Sequence, residues 1–420
     1  MTTRQKLGLL AALYLAQGLP YGFFTQALPV LLRSRGLSLE AIGLTSLLAL
    51  PWALKFAWAP AVDRLGSRRR WILVTQAASA AALLGLATLN PEAGLGPILA
   101  GVFLINALAA TQDIATDGLA VRLLTHGERG LGNGVQVAGY RVGMMLGGGA
   151  LLVAAGALGW PGIFLVMAGL IALSSVPVWR VGEGALAVSS AGSAGSASTV
   201  NRQAPPPARR LSAGWLGLLL VFKSGDALAQ GMLRPWLVDR GMSLEAIGAL
   251  VGGLGFGAGL AGALAGGVWM SWIRRTGRSE AGALARAGLL QAAAVGGYAL
   301  VAAGGALDGA GGLALACGLE HFAGGVATAA LFTCMMARCR PERASTDYTL
   351  QASAVVIASG AAAAVSGVLA SRLGWPVFFG LATALALLGA AAAALWSRST
   401  PGDTGDSEQP RERRGASACA

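Results

Sequence analysis

The sequence predicts an all-α, polytopic membrane protein with twelve transmembrane helices in two parallel six-helix pseudo-repeats. Three observations carry that expectation. Of the 420 residues, 55% are hydrophobic and only 12% are charged. That is too little polar surface to cover a soluble core of this length. Twelve segments are apolar over the roughly 20 residues that a bilayer span needs. A 16-residue stretch recurs downstream with ten identities.

In chain order the predicted spans are 7–32, 40–62, 71–89, 96–122, 131–155, 160–179, 213–236, 244–270, 280–303, 308–336, 347–371 and 374–397. Arg4 and Lys6 precede the first, and no small-residue cleavage site follows a short apolar region. The first segment therefore reads as a span and not as a removable signal. Gly, at 63 residues, and long Ala tracts let helix backbones approach closely inside a bilayer. Segment 180–212 carries a Ser-rich run from Ser189 to Thr199, then Pro205-Pro206-Pro207-Ala208-Arg209-Arg210. Such composition predicts a disordered linker. The predicted organisation is a six-helix bundle over 1–179, the linker over 180–212, a second bundle over 213–397, and a disordered tail over 398–420.

Charge placement sets the orientation. With the N-terminus inside, 22 Lys and Arg fall in inside segments and four fall in outside loops (Arg33, Arg35, Arg240 and Arg372). The positive-inside rule then puts both termini in the cytoplasm, in a bacterial-type inner membrane. The net charge of +12 is thus a topology signal, and no nucleic-acid partner is expected. Cys317, Cys334, Cys339 and Cys419 have neither metal nor disulfide spacing. No phosphate-binding G-x-x-x-x-G-K-[ST] and no H-E-x-x-H occurs. The expected protein is a monomer and not an enzyme. It has no metal or other cofactor, and it works with the lipid bilayer, a small-molecule substrate and the proton gradient as driving force.

The repeat fixes the symmetry. Leu28 to Gly43 reads LPVLLRSRGLSLEAIG and Leu233 to Gly248 reads LRPWLVDRGMSLEAIG, at an offset of 205. Leu158-Gly159-Trp160-Pro161 with Phe164 matches Leu373-Gly374-Trp375-Pro376 with Phe379 at an offset of 215, which Gln136 and Gln351 share. Both anchors join equivalent places in the two halves, so the halves run parallel.

Ionisable residues inside spans cost about 2.5–3.5 kcal/mol at the bilayer centre and are candidates for function. Lys55 lies in the second span, Asp113 and Asp117 on one face of the fourth, and Arg141 in the fifth. They suit a proton or substrate-carboxylate site, or else a structural network in which Lys55 and Arg141 neutralise the aspartates. Lys223 and Asp226, three residues apart in the seventh span, can pair, and Gln230 extends their face. Glu320 and His321 sit near the middle of the tenth, where an acid beside an imidazole can carry protons. Asp347 reads as an N-terminal cap of the eleventh helix. Pro20, Pro29 and Pro51 can kink the first two spans.

Ala59-Pro60-Ala61-Val62-Asp63-Arg64-Leu65-Gly66-Ser67-Arg68-Arg69-Arg70 resembles the signature loop G-x-x-x-D-R-x-G-R-R of the major facilitator superfamily, with Ala59 in place of the first Gly. That resemblance implies the MFS fold. It makes Asp63, Arg64, Gly66, Arg68 and Arg69 a conformational latch of the outward-facing state. In the second-half copy, Gly267 to Arg278, Ser271 replaces the Asp, and no second latch is expected there. Lys55-Phe56, Trp58-Ala59-Pro60, Thr111-Gln112-Asp113-Ile114-Ala115-Thr116-Asp117, Gly139-Tyr140-Arg141-Val142-Gly143 and Asp347-Tyr348-Thr349-Leu350-Gln351 are similar to AmpG-type muropeptide permeases. The Gln-Asp-Ile-x-x-Asp element also resembles the acetyl-CoA transporters. Related short permeases import siderophores of the pyochelin and rhizobactin kinds. Muropeptide permeases carry extra helices, so length favours the siderophore branch.

In the superfamily, helices 1, 4, 7 and 10 line the cavity. The resemblance therefore implies a substrate wall of Gln17, Tyr21, Gln26, Asp113, Arg141, Gln230 and Gln351. It implies proton coupling through Asp113, Asp226, Glu320 and His321, with Lys55, Asp117 and Lys223 as a charge network. The function expected is proton-coupled import of a polar organic solute, best of all a siderophore, by alternating access. Muropeptide import, export of a small organic compound and a non-transporting sensor of the same fold are the alternatives.

Overall fold

The structure is a computed structural model in which residues 1–34, 45–90, 94–181, 211–304 and 309–399 are described. The first copy of the repeated loop from Arg35 onward, most of the linker and the tail from 400 lie outside the described residues. The described residues contain helices and no strands. Among the described residues, ten helices are long and apolar enough to cross a membrane. Two further spans are irregular, and together they give the twelve-helix fold.

The regular spans are α1 (Thr3–Leu32), α3 (Arg68–Thr88), α4 (Gly96–Leu123), α6 (160–180), α7 (Ala213–Asp239), α8 (Glu245–Arg275), α9 (Glu280–Ala302), α10 (Ala310–Ala337), α11 (Ala344–Leu373) and α12 (Trp375–Ser399). Span α2 (45–64) is a chain of short pieces: a 3-10 turn Thr45–Ala49, helix Leu50–Leu54, a 3-10 turn Lys55–Ala57 and helix Ala59–Arg64. Pro51 and Pro60 each sit in the first turn of a helical piece, where a missing N–H costs nothing. Span α5 (129–158) carries Asn133, Gln136 and Arg141 and contains a π-helical turn at Met145–Ala150. Similar wide turns occur at Phe23–Ala27 in α1 and Gly248–Gly255 in α8. Such turns tend to mark functional segments.

Local chemistry explains the boundaries. Ser67, Ser212 and Ser279 cap α3, α7 and α9 by accepting from Arg70 N, Trp215 N and Gly282 N at 3.2, 3.2 and 3.1 Å. The repeated Leu-Gly-Trp-Pro is a turn between paired helices in both halves. Gly159 (φ 62°) and Gly374 (φ 72°) adopt the left-handed backbone that only Gly accepts without strain.

Between helices in lipid, close packing replaces the hydrophobic drive. At the α1–α5 crossing, Gly18 and Gly143 abut the opposing backbones, where a Cβ would collide. At the end of the bundle bearing the start of α1, one apolar cluster joins both halves, with Leu10, Tyr14, Val121 and Leu124 against Trp215, Leu331 and Met335. At the far end the clusters separate: Phe23, Phe24 and Phe164 in one half, Trp236, Tyr298 and Phe379 in the other. The halves are closed at the terminal end and parted at the far end.

Candidate functional site

A cavity of about 720 Å³ lies between the halves. That is in the upper range of small-molecule sites, about 300–1,000 Å³. Tyr21, Gln26, Lys55, Asp113, Asp117, Arg141, Lys223, Asp226, Gln230, Glu320 and His321 all line it. Gln17 and Gln351 do not. Gln17 is buried with both amide atoms unpartnered. Gln351 turns into the packing of its own half, accepting from Trp215 Nε1 at 2.7 Å and donating to Asp347 O at 2.9 Å.

On the N-half wall, the break in α2 delivers Lys55 to Asp113, and the two form a buried ion pair. Asp117, one turn along α4, instead accepts from Tyr14 Oη at 2.8 Å and Gln136 Nε2 at 3.3 Å. Arg141 departs from the expected neutralisation of these aspartates. Its guanidinium lies against Gly259 of α8, and the charges it faces are Asp226 and Glu320 of the other half. The reason is helix rotation: the α1–α5 glycine crossing turns Arg141 away from α4 and across the cavity. Tyr21, Trp52 and Tyr140 form an aromatic wall beside it, with ring centroids 5.5–6.4 Å apart.

On the C-half wall, α7 also breaks, at Lys223, and that lysine pairs with Asp226 at 2.7 Å. Glu320 accepts from Gln230 and from Tyr298 Oη (3.3 Å) and lies 3.0 Å from His321 Nδ1. Adjacent positions on α10 thus reach each other and the same cavity, although successive side chains diverge on a helix.

Arg234, missed in the sequence, completes this wall. It follows Gln230 by one turn, so the periodicity of Lys223, Asp226 and Gln230 already marked it. Neither Arg141 nor Arg234 makes a side-chain ion pair or hydrogen bond among the described residues.

At the terminal end, the signature loop makes direct contacts between the halves. Asp63 pairs with Arg68 and reaches across to the start of α11, accepting from Ser345 N at 3.2 Å and Thr346 N at 2.7 Å. The carboxylate thus caps a helix of the other half, where free N–H groups and the helix dipole favour an anion. Asp347, expected as that cap, instead binds Arg340 through both carboxylate oxygens at 2.7 and 2.8 Å. Gly66 (φ 75°) makes the turn. Arg69 stays within its half, donating to Val178 O at 3.1 Å, while Arg64 is exposed.

The degraded copy, where no second latch is expected, still makes a contact between the halves. Ser271 Oγ accepts from Leu131 N at the start of α5 at 2.7 Å. Arg274 reinforces it, donating to His126 O (3.1 Å), Thr333 O (3.3 Å) and Glu280 (2.6 Å). A hydroxyl serves because this cap needs only an acceptor at the helix start.

A two-half helical bundle, closed at one end around a cavity that charged side chains enter, defines a membrane transporter. The chain belongs to the Major Facilitator Superfamily, whose sequence model matches residues 10–363. It is 30% identical over 394 residues to the anhydromuropeptide permease of Escherichia coli (strain K12), covering 91% of this chain and 77% of that one. An uncharacterized protein of Haemophilus influenzae is 29% identical over 390 residues, covering 89% and 90%. Among solved structures, a bacterial homologue of the iron transporter ferroportin in an outward-facing state superposes with a TM-score of 0.68 at 16% identity, covering 94% of this chain and 99% of that one. The transporter FucP in its outward conformation gives 0.68 at 14% identity, covering 94% and 98%. These last two establish fold alone.

Proposed function

We propose that the protein is a proton-coupled permease that imports a polar, carboxylate-bearing solute of the anhydromuropeptide kind. One observation carries this reading: Arg141 and Arg234 line the cavity from opposite halves and, among the described residues, neither has a carboxylate in direct contact. A guanidinium inside a membrane protein with no carboxylate in contact is costly, and a carboxylate is its natural bidentate partner. The aromatic wall of Tyr21, Trp52 and Tyr140 suits stacking on a sugar face. Relatedness to the anhydromuropeptide permease supports this cargo over a siderophore, which chain length had favoured.

In this reading the halves 1–179 and 213–397 rock about the cavity, and the excess of basic residues at the terminal end supports a cytoplasmic position for both termini in a cell with an inner membrane. The cavity then faces outward, and Asp63 and Ser271 hold the cytoplasmic gate. Protons enter through the cavity carboxylates.

The test is uptake into proteoliposomes under an imposed proton gradient, with labelled anhydromuropeptide and a ferric siderophore as competing cargoes. Gradient-dependent uptake of the anhydromuropeptide is expected. Uptake of the siderophore alone reverses the assignment of cargo, and uptake indifferent to the gradient removes proton coupling.

A further inference from the structure

The four cavity carboxylates are not equivalent. Asp113 has Lys55 and Asp226 has Lys223 as ion-pair partners, and Glu320 has His321 beside it. Asp117 has no ion-pair partner in contact among the described residues: it accepts from the neutral donors Tyr14 Oη and Gln136 Nε2 and lies within hydrogen-bond reach of the Asp113 carboxylate. One lysine, Lys55, serves two carboxylates on one face of α4, and it is spent on Asp113. Asp117 lines the cavity, so protons from the open side reach it.

Gln136 connects this carboxylate to the gate. Its Nε2 also lies 3.4 Å from Tyr348 Oη on α11, in the other half. Its Oε1 is buried and unpartnered. This is an amide with its donor engaged on both sides of the interface and its acceptor idle.

We propose that Asp117 is the protonation site that controls the terminal-end gate, acting through Gln136 on Tyr348. Ionised, Asp117 accepts from the Gln136 amide and fixes its donor towards Tyr348. Protonated, the carboxyl becomes a donor as well as an acceptor. The idle Gln136 Oε1 is its acceptor once the amide turns over, and the turn withdraws the donor from Tyr348. The step moves one proton from cavity water to the carboxylate and breaks no covalent bond. It weakens a link between the halves only when the site is loaded from the open side. The groups facing Asp117 are Lys55 on α2, Asp113 on α4, Tyr14 on α1, Tyr140 on α5, Tyr348 on α11 and Cys339 just before it. Lys55 is the one cation among them.

This rests on the proton coupling proposed above, so the experiment separates the two. Spin labels on Arg70→Cys and Glu342→Cys, exposed at the terminal end of opposite halves, report the gate by pulsed EPR in nanodiscs without substrate. The four native cysteines are replaced by alanine. In the parent protein the long-distance population is expected to grow as pH falls from 8 to 5. Asp117→Asn should hold the long distance at both pH values. Gln136→Leu and Tyr348→Phe should remove the pH response, and they keep the test decisive if Asp117→Asn fails to fold. The same variants are assayed for uptake. Uptake in the parent that ignores pH defeats proton coupling itself. Uptake and gate distance in Asp117→Asn that follow pH as in the parent defeat the assignment of Asp117 and leave proton coupling standing.

Discussion

Ser271 Oγ accepts from Leu131 N at 2.7 Å, and Asp63 Oδ2 accepts from Thr346 N at the same distance. Leu131 and Thr346 are 215 positions apart, the offset of the Leu-Gly-Trp-Pro repeat. The two halves thus cap each other's helices by one pseudo-symmetric contact, in one case with a carboxylate and in the other with a hydroxyl.

Loss of either cap is expected to open the terminal end. A lost N-cap costs about 0.5–2 kcal/mol. Ser271→Ala is expected to raise the open population several-fold, and Asp63→Asn more, because it also gives up the Arg68 pair. Cys339 is a native reporter, buried near the gate. Burial, then Asp347, pushes its thiol well above the ordinary range, so slow alkylation is expected in the closed state. Its maleimide modification, followed by peptide mass spectrometry, should quicken in both variants. An unchanged rate would show that neither cap holds the gate.

Arg141→Gln and Arg234→Gln should each raise KM for a carboxylate-bearing cargo. Hydrogen bonds to charged groups contribute about 1.5–3 kcal/mol, which is roughly 10- to 100-fold. Uptake kinetics in proteoliposomes provide the measurement, and a neutral, amidated cargo should lose the difference between variant and parent. Equal KM values for the acid in all three proteins would remove the arginines from recognition.

The Lys223–Asp226 pair separates structure from coupling. Asp226→Asn leaves Lys223, half-buried on the cavity wall, beside a neutral group; breaking a fully buried pair costs about 3–5 kcal/mol, and solvent in the cavity lowers that figure here. The double variant Lys223→Met/Asp226→Asn should regain thermal stability without regaining gradient-driven uptake. Recovery of both would make the pair structural only. Glu320→Gln should reduce gradient-driven uptake and leave membrane insertion intact, which surface biotinylation or fractionation checks.

Glu128 gives a pH prediction outside the membrane. Partial burial would raise its carboxyl, but hydrogen bonds from Lys6, Thr3 and Thr125 outweigh this and draw it down from about 4.5 to about 2. A depressed acid stabilises the fold above its unfolded pKa and loses that contribution as pH falls towards the folded one. Melting temperature should therefore drop between pH 5 and 2 more steeply in the parent than in Glu128→Gln. Parallel profiles would contradict the contact of Lys6 with Glu128 (2.8 Å).

Several parts of this site were legible in the sequence. Lys55, Asp113, Asp117, Asp226, Glu320 and His321 stand out because charges are rare in apolar spans, and all of them line the cavity. The Lys223 face could have been read one turn further to Arg234. Gln351 misled because it shares an offset with Gln136, yet it packs against Trp215 while Gln136 faces the cavity. Sequence equivalence fixes a place along a helix and leaves the rotation open. The broken α2 was visible only as Pro51 and Pro60, and its consequence, Lys55 at a break, was not.

The sequence by itself determined the twelve spans, the parallel repeat, the signature turn at Gly66 and the list of intramembrane charges, because hydropathy, local backbone preference and composition are properties of chain segments. Only the tertiary structure decided which charges meet: Lys55 with Asp113, Arg141 across the gap from Asp226 and Glu320, and Ser271 on Leu131. Those outcomes depend on how far each helix is rotated and on which end of the bundle is closed. Close glycine crossings set the rotation, and contacts between halves more than 100 residues apart set the closure.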